Sequence, residues 1–209
     1  MTVFHRNENR EPLPETLKGG VVAIGNFDGV HRGHRSVLER ALSLAESRNV
    51  PALVLTFEPH PRTVFQPERP VSRLTPAPLK ARLLEAIGFR CVIEYPFDRE
   101  FSNRSAEEFV QSVLVDWLHA DAVVTGFDFH FGKGREGGPA YLMAAGKRHG
   151  FTVSLVDAFR DENFDVISSS RIRTLLAEGD VAAAAGLLGY RHTVEAQVIG
   201  GEKLGRTLG

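Results

Sequence analysis

The residues of this chain best suited to chemistry are two histidines, His31 and His34, which close the stretch VVAIGNFDGVHRGH over residues 21–34. An apolar run of strand character hands over there to a helical pattern through a turn holding Gly25, Asn26, Phe27, Asp28, Gly29 and Gly33. Glycines let backbone approach a ligand closely. The free amides and positive dipole end of a starting helix favour phosphate, and imidazoles add donors to phosphoryl oxygens without the entropy of a long lysine. The chemistry read here is phosphate binding; a glycine turn with incidental histidines is the plain alternative.

Three further stretches add to it. ISSSRIR, residues 167–173, reads as a helix N-terminus at which Ser168, Ser169 and Ser170 can cap free amides and bind phosphate. Arg171 and Arg173 stand two apart and so point to different sides of a helix, with one of them expected to reach a ligand. In TFEPHPR, residues 56–62, prolines flank His60; they fix the backbone and disfavour helix, so His60 is expected to be presented rather than buried, with Pro61 and Arg62 beside it. GFDFHFGKGREG, residues 126–137, alternates Phe127, Phe129 and Phe131 with Asp128 and His130 before a glycine loop carrying Lys133 and Arg135. An aromatic wall beside cations suits a flat heterocycle carrying a phosphate. Capping, a rigid turn and core packing explain the three stretches when each is taken alone.

The elements that must position these residues follow from periodicity. Strands are predicted over 20–25, 52–57, 91–95, 122–127 and 152–157, nearly continuous in apolar and β-branched residues as expected of strands covered on both faces. Helical spacing of apolar residues is predicted over 33–48, 78–87, 105–118, 138–149, 169–178 and 180–188. The lead-in 1–19 reads as a loop or short edge strand. Strand and helix in alternation imply an α/β fold, a doubly wound parallel sheet with right-handed crossovers. In such a sheet ligands bind beyond the carboxyl ends of the strands, where all four stretches fall. Near 190 the character changes, and HTVEAQVIGGEKLGRTLG reads as a strand, a glycine turn and the start of a second β domain.

Composition excludes several classes. With 25 Lys+Arg against 26 Asp+Glu, the formal charge of −1 gives no global field toward nucleic acid or an anionic membrane, so an anion must be caught locally. Cys91 is the single cysteine, which excludes an internal disulfide and a cysteine-based zinc site and fits a reducing cytosol. The polar start and the lack of an apolar run of about 20 residues give no signal core or membrane span. The expectation is a cytoplasmic protein.

GNFDGVHRGH resembles the HxGH signature of the nucleotidyltransferase superfamily, and ISSSRIR is similar to its ISSTxIR motif, with Ser170 in place of threonine. That resemblance implies a Rossmann-like fold in which His31 and His34 stabilise the transition state at a nucleoside triphosphate. It puts Gly33 against the adenine, Gly25, Asn26, Phe27 and Asp28 along the site, and Ser168, Ser169, Ser170 and Arg173 on the leaving pyrophosphate. With FEPHPR and GFDFHFGKGREG added, nearly the whole chain resembles the bacterial FAD synthetase family, the adenylyltransferase module of bifunctional riboflavin kinase/FMN adenylyltransferases. FMN, ATP, FAD and Mg2+ are the implied substrates, product and metal, with Mg2+ held by substrate oxygens rather than a protein cage. His60, Pro61, Arg62, Asp128, Phe129, Phe131 and Arg135 are the implied flavin-binding candidates.

The tail VIGGEKLGRTLG is similar to the opening of that family's kinase barrel. The expected division is therefore an adenylyltransferase domain over 1–188 and a truncated kinase start over 189–209, without riboflavin phosphorylation. The lysine-rich KMSKS signature of a tRNA-charging enzyme is missing. The rivals are a nucleotidyltransferase for another phosphorylated acceptor and a catalytically silent flavin- or nucleotide-binding module.

Overall fold

A computed structural model describes residues 2–5 and 13–197. Six strands, β1 Thr2–His5, β2 Val21–Ile24, β3 Ala52–Glu58, β4 Cys91–Pro96, β5 Ala122–Gly126 and β6 Thr152–Val156, form one sheet in the order β1-β4-β3-β2-β5-β6. Every pairing is parallel, with Ile24 opposite Leu55, Val21 opposite Ala122 and Thr2 opposite Cys91. The lead-in thus supplies an edge strand, and the five predicted strands stand within one or two residues of their expected ends.

Side chains alternate across the sheet, and each face carries its own core. Val22, Ile24, Leu53, Leu55 and Ile93 pack with Phe109, Leu114, Trp117 and Leu142, from α5 Ala106–Phe109, the segment after it and α6 Pro139–His149. Val21, Ala23, Val54, Val92 and Val124 pack on the other face against Val37, Leu38 and Ala41 of α1 Arg32–Arg48 and Leu84 of α3 Ala77–Ile87. Coverage on both faces explains why these strands read as continuous apolar runs. A third, smaller core joins Leu74 and Ile167 to α7 Ser169–Ala177 and α8 Val181–Leu188 through Ile172, Ala184, Leu187 and Leu188.

Two short helices, α2 Pro61–Phe65 and α4 Arg99–Ser102, were not foreseen. The helix expected over 105–118 is α only to Phe109. It then widens into a π-helical turn over Val110–Val115, where Asp116 N–H bonds the Gln111 carbonyl. Residues 191–197 carry no regular structure, so no strand forms across HTVEAQ. The rest of that expected strand and the glycine-rich barrel start lie outside the described residues. No helix among the described residues is long and apolar enough to cross a membrane.

The strand order decides where a site can be. From β2 the chain builds outward through β3 and β4 on one side, then returns to add β5 and β6 on the other. Adjacent β2 and β5 therefore send their following loops to opposite faces and open a crevice beyond their carboxyl ends.

Candidate active site

The turn after β2 is held in an unfavourable backbone conformation. Phe27, Gly29 and Val30 have φ of 48°, 92° and 38°, and a β-branched residue in the left-handed region persists only where its surroundings enforce it. Asp28 is the enforcer. Its buried carboxylate accepts hydrogen bonds from the amides of Leu74 (3.1 Å) and Thr75 (3.0 Å) and pairs with Arg173 (2.5 Å) and Arg73 (3.5 Å). Burial would raise the Asp28 pKa, but those amides and guanidinium groups outweigh it and hold the group below the usual carboxylate range. Backbone ties complete the restraint: Gly29 N–H donates to Thr75 Oγ1 (2.8 Å), Ser169 Oγ to the Asp28 carbonyl (2.8 Å) and Tyr190 Oη to the Gly29 carbonyl (2.7 Å). A Cβ at Gly25 would stand 2.9 Å from the Phe27 ring, so that glycine makes room for the protein's own phenylalanine.

His31 caps α1, its Nδ1 accepting the His34 N–H at 3.2 Å, and its ring stacks on His34 with centroids 3.5 Å apart. Because Nδ1 accepts, we assign the ring proton to Nε2, which leaves a donor for a ligand. At 4 % exposure His31 has its pKa pushed down to about 4 by burial, against an opposing pull from Asp28. His34 is held well below the usual histidine range by burial first, then by His31 and Lys80, and its buried Nδ1 has no hydrogen-bond partner. Both rings are neutral at neutral pH in this state.

The second helix terminus comes from α7. Ser168 caps it by accepting the Arg171 N–H. Arg171 turns away to Asp161 (2.7 Å), while Arg173 lies against Asp28 and donates from Nε to the Ser72 carbonyl (2.8 Å). Only one of the two arginines borders the cleft, as their spacing requires.

These groups open on one cleft of about 960 Å³, at the upper end of small-molecule sites. All the candidates named from sequence line it: Gly25, Asn26, Phe27, Asp28, His31, Gly33 and His34 from the β2 turn; His60, Pro61 and Arg62 after β3; Asp128, Phe129, Phe131 and Arg135 after β5; and Ser168, Ser169, Ser170 and Arg173 at α7. Six Arg and Lys residues line it against three Asp, a local excess of positive charge in a chain of formal charge −1.

Two expectations need correction. His60 is buried, at 8 % exposure, not presented. The Pro61 that was expected to discourage helix instead starts α2, because a first-turn proline needs no N–H partner. The His60 Nδ1 then accepts the Arg62 N–H at 3.2 Å as the cap, and burial, with Arg73 nearby, pushes its pKa down to about 4.

The sequence reading missed two sets of residues. Phe57, Phe65, Phe97, Phe101 and Arg104 line the cleft, with Phe57, Phe97 and Phe101 in mutual ring contact and Arg104 over Phe101 at 5.4 Å. The second set is a charge cluster around the buried Lys80. Arg73 forks onto Glu58 with two 2.7 Å bonds, and Lys80 donates to Glu58 at 2.7 Å. The Glu58 carboxyl, despite burial, is held down at about 2 by Arg73 and Lys80. Phe57 and Glu58 lie within TFEPHPR but were given no role there; the remaining residues belong to no quoted motif, and FDREF after β4, with two phenylalanines four apart, was the available signal for Phe97 and Phe101.

A family model described as FAD synthetase matches residues 13–171. The chain is 38 % identical over 192 residues to the bifunctional riboflavin kinase/FMN adenylyltransferase of Escherichia coli K12, covering 92 % of this chain and 61 % of that protein. It is 41 % identical over 198 residues to the protein of the same name from Haemophilus influenzae, covering 92 % and 62 %. The chain thus spans about three fifths of the curated relatives it matches. A crystal structure of a macrolide-efflux protein from Streptococcus pneumoniae superposes with a TM-score of 0.84 at 26 % identity, covering 100 % of this chain and 66 % of that one.

Proposed function

Because the chain belongs to the FAD synthetase family, we propose that it transfers the adenylyl group of ATP to the phosphate of FMN, giving FAD and pyrophosphate. The observation that carries this reading is a single cleft with helix N-termini, neutral imidazoles and Arg173 at one part of its wall and a bank of phenylalanines at another. A nucleoside triphosphate and a flavin phosphate meeting there would bring two phosphates together.

An FMN phosphate oxygen attacks the α-phosphorus in line, the bond to the oxygen bridging to the β-phosphorus breaks, and pyrophosphate departs. No protein nucleophile is required, so catalysis consists of positioning and charge stabilisation. We assign donation to the phosphoryl oxygens to His31, through Nε2, and to His34. Arg173, Ser168, Ser169, Ser170 and the amides of α7 receive the leaving pyrophosphate. Gly25, Asn26, Phe27 and Gly33 shape the nucleotide subsite, with Asp28 acting through the backbone it holds. The flavin falls to Phe129, Phe131, Asp128, His60, Pro61, Arg62 and Arg135, joined by Phe97 and Phe101.

Magnesium is assigned to the substrate, as MgATP. Among the described residues no group of three or more His, Cys, Asp and Glu side chains could hold a metal ion, and the Asp28 oxygens are engaged by amides and guanidinium groups. When bound with the triphosphate, the ion would neutralise charge on its phosphates. The same reading divides the chain into an adenylyltransferase domain over 1–188 and the start of a riboflavin kinase domain over 189–209, and puts the reaction in the cytoplasm.

An acceptor screen tests the proposal. With MgATP, FMN yields FAD, whereas riboflavin, a sugar phosphate and pantetheine phosphate yield no adenylylated product. Comparable product from another phosphorylated acceptor, or none from FMN, overturns it.

A further inference from the structure

Beneath the β2 turn lies a lysine that the chemistry above does not use. Lys80, on α3, is 0 % exposed, and its ammonium donates to Glu58 Oε1 (2.7 Å), Thr56 Oγ1 (2.9 Å) and the Asn26 carbonyl (3.3 Å). An ammonium has three protons, and each has a partner here. Thr56 Oγ1 in turn donates to the same Asn26 carbonyl at 3.1 Å. One backbone oxygen at the head of the turn carrying His31 and His34 therefore receives two bonds from below, one of them charge-assisted.

Packing does not require this arrangement. Leu79, Ala81 and Leu84 already bury α3, and taking an ammonium out of water carries a desolvation cost that its partners must offset. Glu58 would keep both arms of Arg73 without Lys80. At Asn26, Lys80 supplies the one charge-assisted bond, and without it the carbonyl keeps only the neutral bond from Thr56.

We propose that Lys80 is a positioning residue for adenylyl transfer: by holding the Asn26 carbonyl, together with Thr56, it fixes the height and orientation of the turn that presents His31 and His34. The proposal rests on the FMN adenylyltransferase reading. Lys80 does not line the cleft and touches no substrate. Its charge also acts on His34, which it helps to keep neutral.

The test compares wild type with Lys80→Met, which keeps the length and apolar stem of the side chain, and with Thr56→Val, which removes the neutral bond to Asn26 and one of the three acceptors of the Lys80 ammonium while leaving its charge. Lys80→Met is expected to lower kcat by about tenfold to a hundredfold, the effect of losing a hydrogen bond from a charged donor. The KM for FMN should stay within about twofold because flavin-contacting groups are untouched, while the urea midpoint falls, since Glu58 loses one of its two cationic partners. Thr56→Val should lower kcat by about threefold to tenfold in the same sense. Unchanged kcat in both variants overturns the proposal, as does a fall in kcat matched by an equal loss of folded protein. If Lys80→Met fails to fold, Thr56→Val alone decides.

A readout independent of turnover separates this proposal from the reaction it rests on. Amide resonances of residues 26–34 should shift in Lys80→Met while those of β5 and β6 stay in place. If wild type makes no FAD, the proposed function fails, and those resonances still decide: a shift confined to the turn upholds the tether, and an unmoved turn overturns it.

Discussion

Asp28→Asn is the perturbation that bears hardest on how the site is held. The substitution keeps shape but removes a charge that faces Arg173 at 2.5 Å and Arg73 at 3.5 Å. It also puts an amide donor where the amides of Leu74 and Thr75 now donate. Arg73 keeps its fork on Glu58, whereas Arg173 keeps only the Ser72 carbonyl. Removing one partner from a buried ion pair costs roughly 3–5 kcal/mol, and the surviving Glu58–Arg73 fork sets the expectation at the lower end, about 3 kcal/mol. For a domain of this size that lowers Tm by roughly 6–12 °C. Turnover should fall at least about tenfold among molecules that remain folded, because Phe27, Gly29 and Val30 lose the cross-link enforcing their backbone. Urea melts give the first quantity, and FAD formation at a temperature where the variant is fully folded gives the second. A stability change within about 0.5 kcal/mol, the range of ordinary surface substitutions, together with wild-type turnover would refute the account of Asp28.

Other consequences are as direct. His31→Ala should lower kcat by about a hundredfold to a thousandfold, as for loss of one charge-stabilising donor, and turnover near wild type would remove His31 from the mechanism. Phe129→Ala should raise the KM for FMN several-fold by removing a half-buried ring, while the KM for ATP stays put; steady-state kinetics with each substrate varied distinguishes the two. Acid should destabilise the protein from an unusually high pH. An unfolded imidazole takes up its proton below about 6.5 and folded His31 only near 4, so between these values the unfolded chain binds more protons and stability falls as pH falls. The loss amounts to roughly 3 kcal/mol for His31, and His60 acts in the same direction over the same window. A urea midpoint no lower at pH 5 than at pH 7 would contradict this.

What could be read from the sequence is what depends on neighbours along the chain. Continuous apolar runs such as ALVLTF announce strands covered on both faces, and β3 lies where that run stands. His31 and Ser168 are caps satisfied within three residues, so their positions at helix starts follow from local chemistry. His60 shows the limit of the same logic. Proline does fix the backbone beside it, but whether the imidazole meets water depends on what the fold packs around it, which no local rule supplies; His60 is 8 % exposed. Lys80 and Arg73 were invisible for that reason. A lysine in an amphipathic helix reads as surface until the fold brings Glu58 beneath it, 22 residues away in sequence.

The proposed reaction moves an adenylyl group onto the FMN phosphate within this one cleft. Incubating the chain with FMN and MgATP labelled at the α-phosphorus tests donor, acceptor and the bond broken together. Label in FAD, with unlabelled pyrophosphate released in equal amount, is the expected result. Label that stays in ATP while FMN binds the protein would contradict the claim and leave a binding module in its place.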